Sequence, residues 1–154
     1  MPRFFRRFRE GLFDEDDVRG RAEELADFVA EARRAHGVAA PVALGYSNGA
    51  NIAAAVLLLR PRTLAGAVLL RAMAPLAEPP RSDLSGIPPL ILSGSNDPIV
   101  PPDSAERLRL GLHAAGARVA RESLDAGHGL SQADLMGAKA SFEREFSPSL
   151  RAKS

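Results

Sequence analysis

Residues 41–60 read PVALGYSNGANIAAAVLLLR. The first six are a short apolar run that reads as a buried strand, and the small and branched apolar residues from Ala50 onward read as a buried helix. Between them stands Gly45-Tyr46-Ser47-Asn48-Gly49. A strand, a Gly-x-Ser-x-Gly turn and a helix in that order describe a nucleophile elbow. Sterics explain the residue types. A serine pushed out of so sharp a turn takes a strained backbone conformation. Only glycine at the flanking positions lets strand and helix approach without a Cβ clash. A competing reading makes Ser47 an ordinary helix N-cap.

On the N-terminal side, residues 14–36 predict an amphipathic helix. Val18, Ala22, Leu25, Val29 and Ala32 recur at spacings of three and four, acidic residues open it, and Gly37 closes it in the C′ position. On the C-terminal side, Pro61 stops the elbow helix, and residues 64–70 (LAGAVLL) and 88–94 (PPLILSG) read as apolar strands. The proline-rich segment 75–85 between them reads as a loop. Residues 103–115 predict a helix capped by an Asp103-x-x-Glu106 pair after Pro101-Pro102. Residues 117–124 alternate and read as a more exposed strand. Residues 131–146 predict the last helix, with Leu135, Ala138, Phe142 and Phe146 on one side. The tail from 147 is expected to fray. Strands apolar end to end need both faces covered, so the fold class is α/β, a three-layer α/β/α sandwich with a mainly parallel sheet.

The chain has 154 residues, which suits a single domain with a real core. Twenty basic and nineteen acidic side chains leave a net charge of +1, so no global field draws it to nucleic acid. The absence of cysteine removes disulfides, a thiolate nucleophile and Cys-ligated zinc, and it suits a cytoplasmic location. No apolar stretch is long enough to span a bilayer. Residues 1–13 (MPRFFRRFREGLF) mix arginine with phenylalanine, and as a helix would align Phe4, Phe8 and Leu12. One reading is a membrane-surface or targeting helix. The preferred one is a connecting segment whose phenylalanines pack while the arginines stay wet, so no stable membrane association is expected.

An exposed serine needs a base, and the base needs an orienting acid. In parallel sheets such groups collect where strands end. The third strand runs into Ser93-Gly94-Ser95-Asn96-Asp97-Pro98, and the fourth into Asp125-Ala126-Gly127-His128-Gly129-Leu130. The order Ser47, Asp97, His128 is that of a Ser…Asp…His triad. Asp97 before Pro98 also fits a plain Asx-turn, which would leave Asp103 or Asp125 as the acid. Asp103 is better used as a helix cap, and Asp125 lies only three residues from the histidine, so Asp97 is favoured. His36 and His113 fall near helix C-termini and read as structural.

The segments GYSNGANIAA, SGSNDPIVPP and DAGHGLSQAD resemble the phospholipase/carboxylesterase branch of the α/β hydrolases, the group related to acyl-protein thioesterases. The likeness runs over nearly the whole chain. It implies a serine carboxylesterase with Ser47 as nucleophile, His128 as base, Asp97 as its partner and the Asn48 backbone N–H in the oxyanion hole. It implies no metal and no organic cofactor. By position, Met73, Ile99, Val100 and Leu130 are candidates for an apolar acyl or alcohol pocket, which points to small neutral esters or thioesters. Each of the four also fits ordinary packing.

The resemblance also carries an expectation of something missing. Family members begin with further strands and a His-Gly loop that supplies a second oxyanion donor, whereas here a single helix precedes the elbow strand. The expectation is a domain, residues 1–154, lacking its N-terminal strands, roughly 60 residues at about 30 per strand–helix–strand unit. Its first strand would expose a hydrophobic edge. That edge allows a homodimer. It also supports the alternative reading, an inactive fragment serving as an interaction module. Peptidase or lactonase chemistry would use the same triad.

Overall fold

A computed structural model of the chain describes residues 7–9 and 12–147. Strands β1 (Arg7–Arg9) and β2 (Leu12–Phe13) pair antiparallel, so this part of the N-terminal segment is extended rather than helical. Phe13 is buried in the core. Phe4 and Phe5, like the tail from 148, lie outside the described residues.

Helix α1 (Glu15–His36) is capped by Asp14, whose side chain accepts from the Asp17 N–H, and it ends on Gly37 in the left-handed region at φ 62°. Strand β3 (Val42–Tyr46) leads through Ser47 into α2 (Asn48–Leu59). Residues Ala50 to Leu58 of α2 are all buried, as expected of a helix apolar on every side. Strands β4 (Gly66–Leu70) and β5 (Pro89–Gly94) follow, then α3 (Pro102–Ala114), β6 (Ala120–Leu124) and α4 (Gln132–Phe146). The four long strands form one parallel sheet in the order β3-β4-β5-β6.

Alternation along β4 and β5 sorts the core into two halves. Ala67, Leu69 and Ile91 face α1, α2 and α3 in one large cluster. Val68, Leu70, Leu90 and Leu92 face the other way and are covered by Ala138 of α4. The result is the expected three layers. All strands point the same way, so the segments after Tyr46, Leu70, Gly94 and Leu124 emerge at one edge of the sheet, where a parallel α/β fold places reactive groups.

Two local expectations are corrected. Helix α3 is not capped by Asp103. It begins with Pro102 after the N-cap residue Pro101, because proline at the first helical position lacks an N–H that would need a partner. Asp103 then falls in the first turn. Glu106 turns to Arg109 and Arg121 instead of the cap, and the Arg109 guanidinium, with Arg121, lowers its pKa to about 2. The second correction concerns residues 41–46, read as a buried strand: Leu44 is 69% exposed and Tyr46 40%. The apolar side of α4 is only partly covered, with Leu135 61% exposed and Phe142 44%. The buried residues of α4 are Asp134 and Ser141. Leu135, Ala138 and Phe142 instead border a groove of about 380 Å³ with Val42, Leu44 and Val68. Strand β3 is one edge strand of the four-stranded sheet and β6 the other, which leaves Leu44 on β3 open to this groove. No described helix is long and apolar enough to cross a membrane.

Strand β3 and helix α2 approach each other backbone to backbone. A Cβ added at Gly45 would stand 2.5 Å from Gly49 O and 2.7 Å from Ala50 N. Both obstacles are backbone, so strand and helix would have to separate. Gly45→Ala is therefore expected to cost ~1–3 kcal/mol, as overpacking does, and to lower Tm by roughly 3–10 °C. Gly20, exposed in the middle of α1 with nothing within 4 Å of an added Cβ, is the counterpart. Gly20→Ala is expected to stabilise by about 0.5–1 kcal/mol. Thermal melts of the two variants check both signs.

Candidate active site

Ser47 sits between β3 and α2 with φ 53° and ψ −114°. A positive φ is unusual for a residue with a Cβ, and here the surroundings enforce it. The Ser47 N–H donates to Leu70 O at 2.8 Å, continuing the β3–β4 ladder, while Ser47 O accepts from Asn51 N at 3.0 Å and starts α2. The backbone passes from strand to helix at this single residue. Ser47 is the N-cap residue of α2 by position, but its side chain makes no cap hydrogen bond. Its Oγ points to His128 instead.

His128 Nε2 lies 3.1 Å from Ser47 Oγ, and its Nδ1 lies 2.9 Å from Asp97 Oδ2. An ionised carboxylate only accepts, so Nδ1 carries the proton and Nε2 is left to accept from the serine hydroxyl. The Asp97 side chain is 1% exposed and that of His128 19%. Burial works against charge on Asp97. The His128 imidazole and the backbone N–H groups of Ile99 and Val100 outweigh it and hold the carboxyl below its ordinary range.

Asp97 makes both of the contacts that the sequence offered as alternatives. Its Oδ1 accepts from Ile99 N at 2.8 Å and Val100 N at 3.1 Å, which is the Asx-turn, while its Oδ2 meets the histidine. One side chain makes both contacts. Asp103 is exposed at the start of α3. Asp125 accepts from Asn96 Nδ2 at 2.8 Å and so ties the two loops together. Backbone bonds do the same: Ser95 N donates to Leu124 O and Asn96 N to Ala126 O. A Cβ at Gly94 would collide with Ala126 O and Gly127 O, so the acid loop and the histidine loop touch backbone to backbone.

Asn48 opens α2, which puts its backbone amide at the positive end of the helix. The His36-Gly37 pair that precedes Ser47 ends α1, before the start of β3, whereas Ser47 follows the last residue of that strand. His113 lies in the last turn of α3. Met73 and Val100 are buried within the main core cluster. Ile99 is partly exposed and Leu130 is 48% exposed. Among the described residues, no group of three or more His, Asp or Glu side chains is placed to hold a metal ion.

Two neighbours of the histidine carried no sequence signal. Tyr46 occupies the variable position of the elbow. Its hydroxyl donates to His128 O at 3.0 Å, and the two rings lie 5.5 Å apart. Arg71, directly after β4, is fully buried and bonds to the histidine loop. A lone arginine after an apolar strand ordinarily reads as a surface residue. The acidic partner that makes its burial tolerable, Asp134, is remote in sequence.

Comparison with known proteins points the same way. No protein-family model matches the sequence. The chain is 41% identical over 134 residues to MhqD of Bacillus subtilis (strain 168), a protein named as a hydrolase, a match covering 86% of this chain and 67% of that one. The structure of the Bacillus cereus carboxylesterase superposes with a TM-score of 0.90 at 40% identity, over 95% of this chain and 70% of that one. The carboxylesterase from Mesorhizobium loti gives 0.84 at 32% identity, over 90% and 66%. The chain thus spans about two thirds of the length of these relatives.

The geometry separates the three candidate acids. Asp97→Asn is expected to slow modification of Ser47 by a fluorophosphonate by about 10³–10⁴-fold, because the amide favours the wrong imidazole tautomer. Asp103→Asn should leave the rate within about two-fold, the scale of an uninvolved surface residue. Time courses read by intact mass distinguish the two. A slow Asp103→Asn beside a normal Asp97→Asn would reverse the assignment.

Proposed function

The chain belongs to the carboxylesterase-type α/β hydrolases, and from that premise we propose that Ser47, His128 and Asp97 hydrolyse a small neutral ester or thioester through an acyl-enzyme. The observation that carries the proposal is the hydrogen-bond chain from Ser47 Oγ through His128 to Asp97.

Ser47 Oγ attacks the substrate carbonyl carbon as its proton passes to His128 Nε2. The carbonyl oxygen becomes an oxyanion, stabilised by the Asn48 N–H at the positive end of α2. The intermediate collapses, the bond to the leaving group breaks, and Nε2–H protonates the departing alkoxide or thiolate. Water then attacks the acyl-serine with His128 again taking the proton, the acyl–Oγ bond breaks as Nε2–H returns that proton to Ser47 Oγ, and the carboxylic acid leaves. Asp97 stays ionised throughout and holds the imidazole in the required tautomer. No step calls on a metal or an organic cofactor. Tyr46 directly precedes the serine, Leu130 lies two residues after the histidine, and both are exposed. They offer apolar surface to an acyl or alcohol group, which favours a small neutral substrate.

The test combines fluorophosphonate labelling with hydrolysis of 4-nitrophenyl acetate. One adduct mapped to Ser47 is expected, and Ser47→Ala should neither label nor turn over above background. Undiminished hydrolysis by Ser47→Ala would remove the proposal. The pH profile adds a second check. An imidazolium cannot accept the serine proton, so kcat/KM falls on the acid side as the imidazole charges. Asp97, with its pKa depressed, remains ionised through that window and loses its charge only below the ordinary carboxylate range, about pH 4. A rate flat down to about pH 5 would argue against His128 as the base.

A further inference from the structure

His128 stands between two glycines, and beyond the backbone contact of Ala126 and Gly127 with Gly94 its loop has little packing to fix it. Gly127 and Ala126 are partly exposed, and Gly129 and Leu130 are exposed. Glycine on both sides gives the backbone wide conformational freedom. A base in such a loop would wander unless polar contacts held the chain. Three consecutive carbonyls are held. Gly127 O accepts from Arg71 Nε at 2.8 Å, His128 O from the Tyr46 hydroxyl at 3.0 Å, and Gly129 O from Arg71 Nη2 at 3.1 Å.

We propose that Arg71 and Tyr46 form a clamp on the backbone of residues 127–129 and act as positioning residues for His128, an inference that rests on the Ser47–His128–Asp97 reading. The guanidinium suits this task. Its Nη1 donates to Leu92 O at 3.2 Å and to Asp134 Oδ1 at 2.7 Å, and its Nη2 also donates to Asp134 Oδ2 at 2.8 Å. With the two loop carbonyls, all five of its N–H donors are engaged. Both side chains of the Arg71–Asp134 pair are fully buried. Burial works against charge on Asp134, but Arg71 and Ser131 outweigh it and keep its carboxyl ionised below the ordinary range. An unpaired buried cation close to the loop would oppose formation of the imidazolium. Asp134 neutralises it, so the clamp supplies geometry without an opposing charge.

The anchor is itself rigid. Asp134 Oδ2 accepts from the N–H and the hydroxyl of Ser131, completing the capping box of α4. Arg71 holds φ 56° while its N–H donates to Leu92 O. A side chain in that left-handed conformation persists only where its surroundings over-determine it. The clamp therefore ties the end of β4, the end of β5, the first turn of α4 and the histidine loop into one unit. Lysine keeps the charge but presents a compact ammonium with three donors in place of a planar fork. It can pair with Asp134, but it cannot also reach Gly127 O, Gly129 O and Leu92 O.

The test compares Arg71→Lys and Tyr46→Phe with the unaltered chain, each titrated with a fluorophosphonate so that kcat is expressed per reactive serine. Arg71→Lys is expected to lower kcat for 4-nitrophenyl acetate about 10²-fold, the scale of a misplacement of about 1 Å, with KM little changed. Tyr46→Phe should lower it roughly 3- to 10-fold, the scale of one hydrogen bond. The low-field proton resonance of His128 Nδ1–H should broaden or shift in both. A purely structural role would lower the melting temperature and the titratable fraction while leaving kcat per reactive serine and this resonance unchanged, and that result in either folded variant overturns the clamp. If Arg71→Lys does not fold, Tyr46→Phe decides alone. Ser47→Ala and His128→Ala run alongside. Activity surviving in those two removes the triad reading, whereas activity lost in them but kept in the clamp variants removes only the clamp.

Discussion

The geometry around Ser47 depends on the contact between Gly45 in β3 and Gly49 in α2, where two backbones meet with no room for a Cβ. Strand and helix can come that close only if the chain reverses within one residue, and Ser47 is that residue. Its φ of 53° follows from the contact rather than from any preference of serine. The same reversal lifts its hydroxyl out at the sheet edge, where the chain leaves each of the parallel strands. Close packing, backbone strain and exposure of the hydroxyl are thus one geometric event.

The other two groups reach the serine by a different route. Parallel strands β5 and β6 deliver the loops that carry Asp97 and His128 side by side, and backbone bonds between residues 95–96 and 124–126 lock the loops together. Asp97 is oriented by Ile99 N and Val100 N before it meets the imidazole. Its carboxylate is therefore not free to swing toward solvent, and the desolvation that would favour its neutral form is countered by three donors. A pre-ionised, pre-oriented acid fixes the imidazole tautomer, and with it the nitrogen that faces Ser47.

Much of this was legible from short-range pattern. The apolar runs of β4 and β5, the period of α1, the glycine at its end and the glycines of the elbow each report a local constraint, and the order of the three loops follows from strands that all point one way. What escaped the sequence was decided by contacts at long range. The apolar stripe of Leu135 and Phe142 has the helical period of a buried face, but period does not reveal what lies opposite, and the sheet surface beside β3 leaves that stripe half open. The Asp103-x-x-Glu106 spacing fits a cap, yet Pro102 can take the first helical position and Arg121, on the neighbouring strand, draws Glu106 away. Arg71 is the clearest case. Its burial depends on Asp134, which lies beyond two further strands and a helix, and no window of sequence contains both.

That ion pair also bears on why the site is built as it is. Two charges taken fully out of water carry a desolvation cost of several kcal/mol each, and replacing such a pair by apolar residues of similar volume is often neutral or stabilising. Stability alone is therefore a weak reason for Arg71 and Asp134 to be buried here. The strain at Arg71 adds about 1–3 kcal/mol to the same side. Ser47 and Arg71 follow the ends of adjacent strands, and both hold positive φ while their N–H groups continue the ladder to Leu70 O and Leu92 O. One projects the hydroxyl that meets His128, and the other bonds to the loop that carries this histidine. A fold that tolerates these opposing terms where the chain leaves two neighbouring strands is using its stability margin to fix the distance between a hydroxyl and an imidazole.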